Sequence, residues 1–152
     1  MITIYESIRD ALVSLLKGAF SDFDVFCEEI SKTQDGVVQP VLTQWIFLDL
    51  IPSGNETVSA DFVDRSTLID IAVHTESELN RDYLQISQQL EPLLRPVFRF
   101  SDGGESRAIT VPDVSFKMVD RVLHCTFTLS FRDSRQEPPA GELMEELESR
   151  FQ

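Results

Sequence analysis

The sequence predicts an α+β fold: a mixed, mostly antiparallel sheet with two amphipathic helices packed on one face, plus a short C-terminal helix. Three observations carry this expectation. Two stretches place their apolar residues at helical spacing, residues 122–132 alternate strictly between apolar and polar, and residues 41–51 form an apolar run of strand length.

The first element is a helix. Thr3 is placed to cap it and Glu6, three residues on, completes a capping box, while Ile4, Ile8, Ala11, Leu12, Leu15 and Ala19 fall on one face. Gly18 marks its expected end. After Ser21-Asp22, Asp24 to Ile30 reads as a short strand with Val25 and Cys27 on the same side, closed by Glu28 and Glu29.

Val41 to Ile51 reads as the second strand. Trp45 and Phe47 occupy one face and Ile46, Leu48 and Leu50 the other, so both faces are apolar. Such a strand is expected to be central and covered on two sides, with the second cover supplied by another subunit in a small domain. Pro52 to Arg65 reads as a polar connection carrying Gly54, Asn55, Glu56, Asp61 and Asp64, interrupted by Phe62 and Val63. A loop of that length is either mobile or functional, and the apolar pair docks on a partner or on its own domain.

Thr67 to Thr75 is the third strand. A second amphipathic helix follows, with Leu79, Tyr83, Ile86, Leu90, Leu93 and Leu94 on one face. Pro92 removes a helical hydrogen bond and Pro96 disfavours helix at the residue before it, so the helix is expected to end by Arg95. Val97 to Phe100 is a short strand, Ser101-Asp102-Gly103-Gly104 a turn, and Arg107 to Val119 further extended pieces interrupted at Pro112. From Val122 to Arg132, Leu123, Cys125, Phe127, Leu129 and Phe131 face inward, and His124, Thr126, Thr128, Ser130 and Arg132 outward. That run makes a strand of roughly 36 Å at about 3.3 Å per residue.

Residues 1–133 therefore form one α+β domain and residues 134–152 an appendage. Gln136 to Gly141 has linker composition, and Glu142 to Phe151 reads as a short acidic helix with Leu143, Leu147 and Phe151 on one stripe. So short a helix is marginal alone, and it docks on its own domain, docks on a neighbour, or frays.

The chain has 152 residues, 42% of them hydrophobic and eleven of them Phe, enough for a core that needs no staples. Thirteen basic against twenty-six acidic residues give a net charge of −13. The basic patch of a phosphate binder is therefore not expected, and neither sequence-specific nucleic-acid binding nor a membrane partner is. The acidity serves solubility, or it forms a surface that repels polyanions or meets a basic partner. No secretory leader or membrane span is expected, and residence in a cytosol suits Cys27 and Cys125 as buried, reduced thiols.

Little in the sequence points to chemistry. Cys27, His74, His124 and Cys125 are the candidate zinc ligands, but adjacent residues 124 and 125 of one strand point to opposite faces and cannot share an ion. No Gly-x-Ser-x-Gly elbow surrounds a serine, and Gly103-Gly104 lacks the context of a phosphate loop. Asp49 and Asp70 could meet on neighbouring strands as paired magnesium ligands, an unspecific pattern in an acidic chain. No catalytic residue, metal or cofactor is assigned.

The opening helix, Glu28-Glu29-Ile30, Asp70-Ile71, Glu78-Leu79-Asn80 and Val119-Asp120-Arg121-Val122-Leu123-His124, in this order and spacing, resemble the tail terminator proteins of long-tailed bacteriophages and their prophage-encoded versions. The resemblance covers residues 1–133. It departs where that family often has Asp-Gly at the last hairpin and this chain has Asp120-Arg121, which suits a type I′ turn less well.

The resemblance implies a structural virion protein: a subunit of a homo-hexameric ring that caps the tail tube, stops its polymerisation and joins the head. Its implied partners are other copies of itself, the tail tube protein, and a head-completion or connector protein. Its implied locations are the virion tail and, during assembly, the host cytoplasm. A ring needs two different patches that fit each other. Trp45, Phe47, Asn55, Glu56, Phe62, Asp64, Leu143, Leu147 and Phe151 are the candidate interface residues. The alternative reading is an acidic monomeric binding module or inhibitor that mimics nucleic acid, which oligomeric state discriminates.

Overall fold

The computed structural model describes residues 3–27 and 44–134. Helix α1 (Ile4–Ala19) is followed by β1 (Asp24–Phe26), β2 (Trp45–Thr57), β3 (Phe62–His74), α2 (Asn80–Leu94), β4 (Val97–Asp102), β5 (Glu105–Thr110), β6 (Ser115–Val119) and β7 (Val122–Ser134). The fold is α+β with a mixed five-stranded sheet in the order β1-β2-β3-β7-β6, in which only β1 runs parallel to its neighbour. Strands β4 and β5 form a separate antiparallel pair.

Local chemistry sets the helix ends. Glu6 N–H donates to Thr3 Oγ1 at 3.2 Å and Thr3 N–H to Glu6 Oε2 at 2.8 Å, so the expected capping box is formed. Helix α1 runs one residue past Gly18 and ends at Phe20, whose N–H bonds back to the Leu16 carbonyl. Helix α2 contains Pro92 and stops at Arg95, as the two prolines require.

Packing follows from period-two alternation. Ile46 and Leu48 of β2, Ile69, Ile71 and Val73 of β3, and Leu123, Cys125, Phe127, Leu129 and Phe131 of β7 lie in register on one face of the sheet. They share a single buried cluster with Ile8, Leu12 and Leu16 of α1, Tyr83, Ile86, Leu90 and Leu94 of α2, and Phe98, Phe100 and Ile109 of the small sheet. Arg107 fastens that small sheet to β7. Its guanidinium sits 5.9 Å from the Phe100 ring centre and 5.6 Å from that of Phe131, 3.3 Å from Asp102, and donates to the Arg132 carbonyl at 2.8 Å.

Several expectations need correction. Pro52–Arg65 is a strand hairpin, not a loop. Asn55 pairs with Arg65, Glu56 with Asp64 and Thr57 with Val63, after a register shift between Pro52 and Gly54. The shift accommodates a proline that cannot donate to the ladder. Strand β3 consequently starts at Phe62 and not Thr67. Strand β2 has one face in the core and one face open in the single chain: Ile46 and Leu48 are buried, Trp45 and Phe47 half-buried, and Asp49 exposed. Only Asp24–Phe26 of the first expected strand is extended among the described residues. Glu28–Ile30, Val41–Thr43, the linker and the C-terminal helix lie outside them.

Candidate subunit interface

The hairpin formed by Pro52–Thr57 of β2 and Phe62–Ser66 of β3 makes an arm. Its β2 side is exposed throughout, and at its end Val58 and Ser59 donate their N–H groups to the Phe62 carbonyl at 3.1 and 3.2 Å. Cross-strand polar pairs stiffen it. Arg65 Nη1 donates to Asn55 Oδ1 at 2.8 Å and Arg65 Nε to Asp133 Oδ2 at 3.1 Å, so one guanidinium ties β2, β3 and β7 together. On the opposite face Arg132 Nε donates to Asp64 Oδ1 at 2.9 Å, and this contact holds the Asp64 carboxyl below its usual range. The pair is exposed and contributes little to stability.

Val58 and Phe62 stay 43% and 45% exposed on this arm, large apolar side chains outside the core cluster of the described residues. Glu56 and Asp61 flank them, both exposed and, among the described residues, in no ion pair.

The candidate residues fall in two groups. Asn55, Glu56, Phe62 and Asp64 come together on the arm. Trp45 and Phe47 lie at the other end of β2, roughly 36 and 30 Å from Glu56 at about 3.3 Å per residue. The Trp45 ring stacks on His74, its register partner, with centres 5.5 Å apart and planes 16° apart. Leu143, Leu147 and Phe151 lie outside the described residues.

A second region lies where β6 turns into β7. Asp120 and Arg121 have φ of 49° and 64°, the left-handed values of a type I′ turn, and Glu78 before α2 has φ of 54°. Arg121 Nη1 donates to Glu78 Oε2 at 2.8 Å, and the Tyr83 hydroxyl donates to the Arg121 carbonyl. Bonds to His74 first and Arg121 second hold the Glu78 carboxyl below its ordinary value. Around this turn Leu79, Met118 and Val119 are 53%, 43% and 41% exposed. Sequence reasoning missed the patch, because residues 79 and 118–119 are far apart in the chain. The available signal was an apolar pair following Lys117 at an edge strand.

His124 Nδ1 lies 3.1 Å from Asp70 Oδ1, and among the described residues this carboxylate is its one hydrogen-bond partner. Asp49 and Asp70 are register partners, as the sequence allowed, yet no group of three or more His, Cys, Asp or Glu able to hold a metal occurs among the described residues. Cys125 faces the core while His124 faces away, so the two cannot share an ion. Burial, with Asp70 adding to it, pushes the Cys125 thiol up to about 12. No helix among the described residues is long and apolar enough to cross a membrane.

Comparison with known proteins adds a family. A profile described as phage tail terminator protein matches residues 7–141. A solved structure shares the fold with a TM-score of 0.50 at 15% identity, covering 90% of this chain and 96% of that one. No curated protein matches.

Proposed function

Because the chain belongs to the phage tail terminator family, a structural component of virions, we propose that it assembles into a closed, six-membered ring on the end of the tail tube. There the ring halts addition of tube subunits and presents its opposite side to the head. The protein's partners are then further copies of itself, the tube protein and a head-completion or connector protein.

The observation that carries this reading is the arm. A polar hairpin that leaves the core, held by Arg65 to Asn55 and Asp133, exposes Val58 and Phe62 at its end. Such side chains lower the solubility of a monomer and gain free energy when a neighbour covers them. Asn55, Glu56, Phe62 and Asp64 accordingly belong to the subunit interface, and the half-buried Trp45 and Phe47 to a surface that meets a tail or head protein. Light scattering after size-exclusion chromatography, alone and on isolated tail tubes, tests the reading. A six-copy assembly is expected, and a monomer under both conditions contradicts it.

A further inference from the structure

A closed ring requires that a patch on each copy fit a different patch on the next. We infer that the arm end of one copy docks on the β6–β7 end of its neighbour, a deepening that rests on the ring reading above. Among the described residues the exposed large apolar side chains gather most clearly at these two places: Val58 and Phe62 on the arm, Leu79, Met118 and Val119 around the turn. The two lie at opposite ends of the sheet. Phe62 opens β3 and pairs with Ser134, whereas Val73 near the end of β3 pairs with Leu123 beside the turn. About a dozen residues at about 3.3 Å separate them by roughly 40 Å. That is the head-to-tail placement a heterologous contact needs, since a patch that met its own image would close a dimer instead.

Charge selects the same pairing. Lys17, Arg99 and Lys117 are the described cations outside any ion pair with a described residue. Lys17 is followed by Gly18 and Arg99 lies between the buried Phe98 and Phe100, so only Lys117 adjoins exposed apolar residues, Met118 and Val119. Glu56 and Asp61 on the arm are the matching anions, likewise outside any ion pair with a described residue and beside Val58 and Phe62. In a chain of net charge −13, acid-to-acid contact between copies is the default and has to be avoided. Setting Lys117 against Glu56 and Asp61 selects this register over others, because like-charge juxtaposition in an interface is strongly unfavourable.

Charge reversal on the full chain tests the pairing. One variant carries Glu56→Lys with Asp61→Lys, the other Lys117→Glu, and all these positions are exposed, so circular dichroism should report an unchanged fold. Each variant alone should associate more weakly than the wild type by on the order of tenfold. An equimolar mixture should recover wild-type assembly, because each arm then meets a patch of opposite sign and the two variants alternate around the ring. Variants that assemble as well as the wild type, or a mixture that fails to recover, overturn the arm-to-turn pairing while leaving the ring standing. A wild type that stays monomeric alone and on tail tubes overturns the ring reading and the pairing with it.

Discussion

Arg121 and Glu78, joined by a 2.8 Å ion pair, both hold left-handed backbone angles, φ 64° and 54°. Tyr83 adds a hydrogen bond to the Arg121 carbonyl, so a turn without glycine is held by contacts from the start of α2. Arg121→Val should lower stability by about 1–2 kcal/mol, because a β-branched residue resists these angles. Arg121→Gly should cost less than half of that, the relief of strain offsetting the lost ion pair. Urea titration compares them, and equal losses would contradict the turn geometry.

Arg65 is the clamp of the arm. Its side chain is 25% exposed and that of Asp133 21%. Arg65→Met keeps the aliphatic stem and removes both polar bonds, and should cost only about 1 kcal/mol of global stability. Its larger effect should be local. Amide hydrogen exchange at residues 55–57 and 63–65 should accelerate while that of 69–73 stays unchanged.

Cys125 sets an alkaline limit on stability. Its folded value of about 12 stands above the ordinary 9.0 because burial, and then Asp70, disfavour the thiolate. The folded chain therefore binds the proton more tightly than the unfolded one. Stability from this group is complete below pH 9.0 and is lost as pH rises toward about 12. Cys125→Ala should flatten the alkaline fall, and iodoacetamide should modify Cys125 in urea but not in the native state.

The first helix offers a contrast between a cap and a core position. Thr3→Ala removes one half of the capping box and should cost about 0.5–2 kcal/mol. Leu12, fully buried in the shared cluster, should cost about 2–5 kcal/mol as Leu12→Ala. Thermal or urea denaturation orders the two, and the reverse order would place α1 outside the core.

What could be read from the sequence was what short-range spacing encodes. Thr3 and Glu6 lie within one turn, and the alternation of Leu123 through Phe131 needs only its own strand to be recognised. The arm was misread because its β2 half, Pro52 to Thr57, is polar on both sides. Its strands are held by Arg65 to Asp133 and Asp64 to Arg132, contacts between residues 68 apart. The last hairpin was legible as a turn, but its left-handed form depends on Glu78 and Tyr83, about forty residues earlier. Of the candidate interface residues, Phe62 and Glu56 were picked out as members of a loop, yet they stand on paired strands. Lys117, Met118 and Val119 were not picked out, because exposure on an edge strand is set by which strand lies beside it.

The most direct test of the terminator role is the length of tail tubes polymerised from purified tube protein with and without this chain, measured by electron microscopy. Capping predicts that tubes stop growing once the chain is added and that tubes without it continue to lengthen. Tubes that lengthen equally in both reactions would contradict the account.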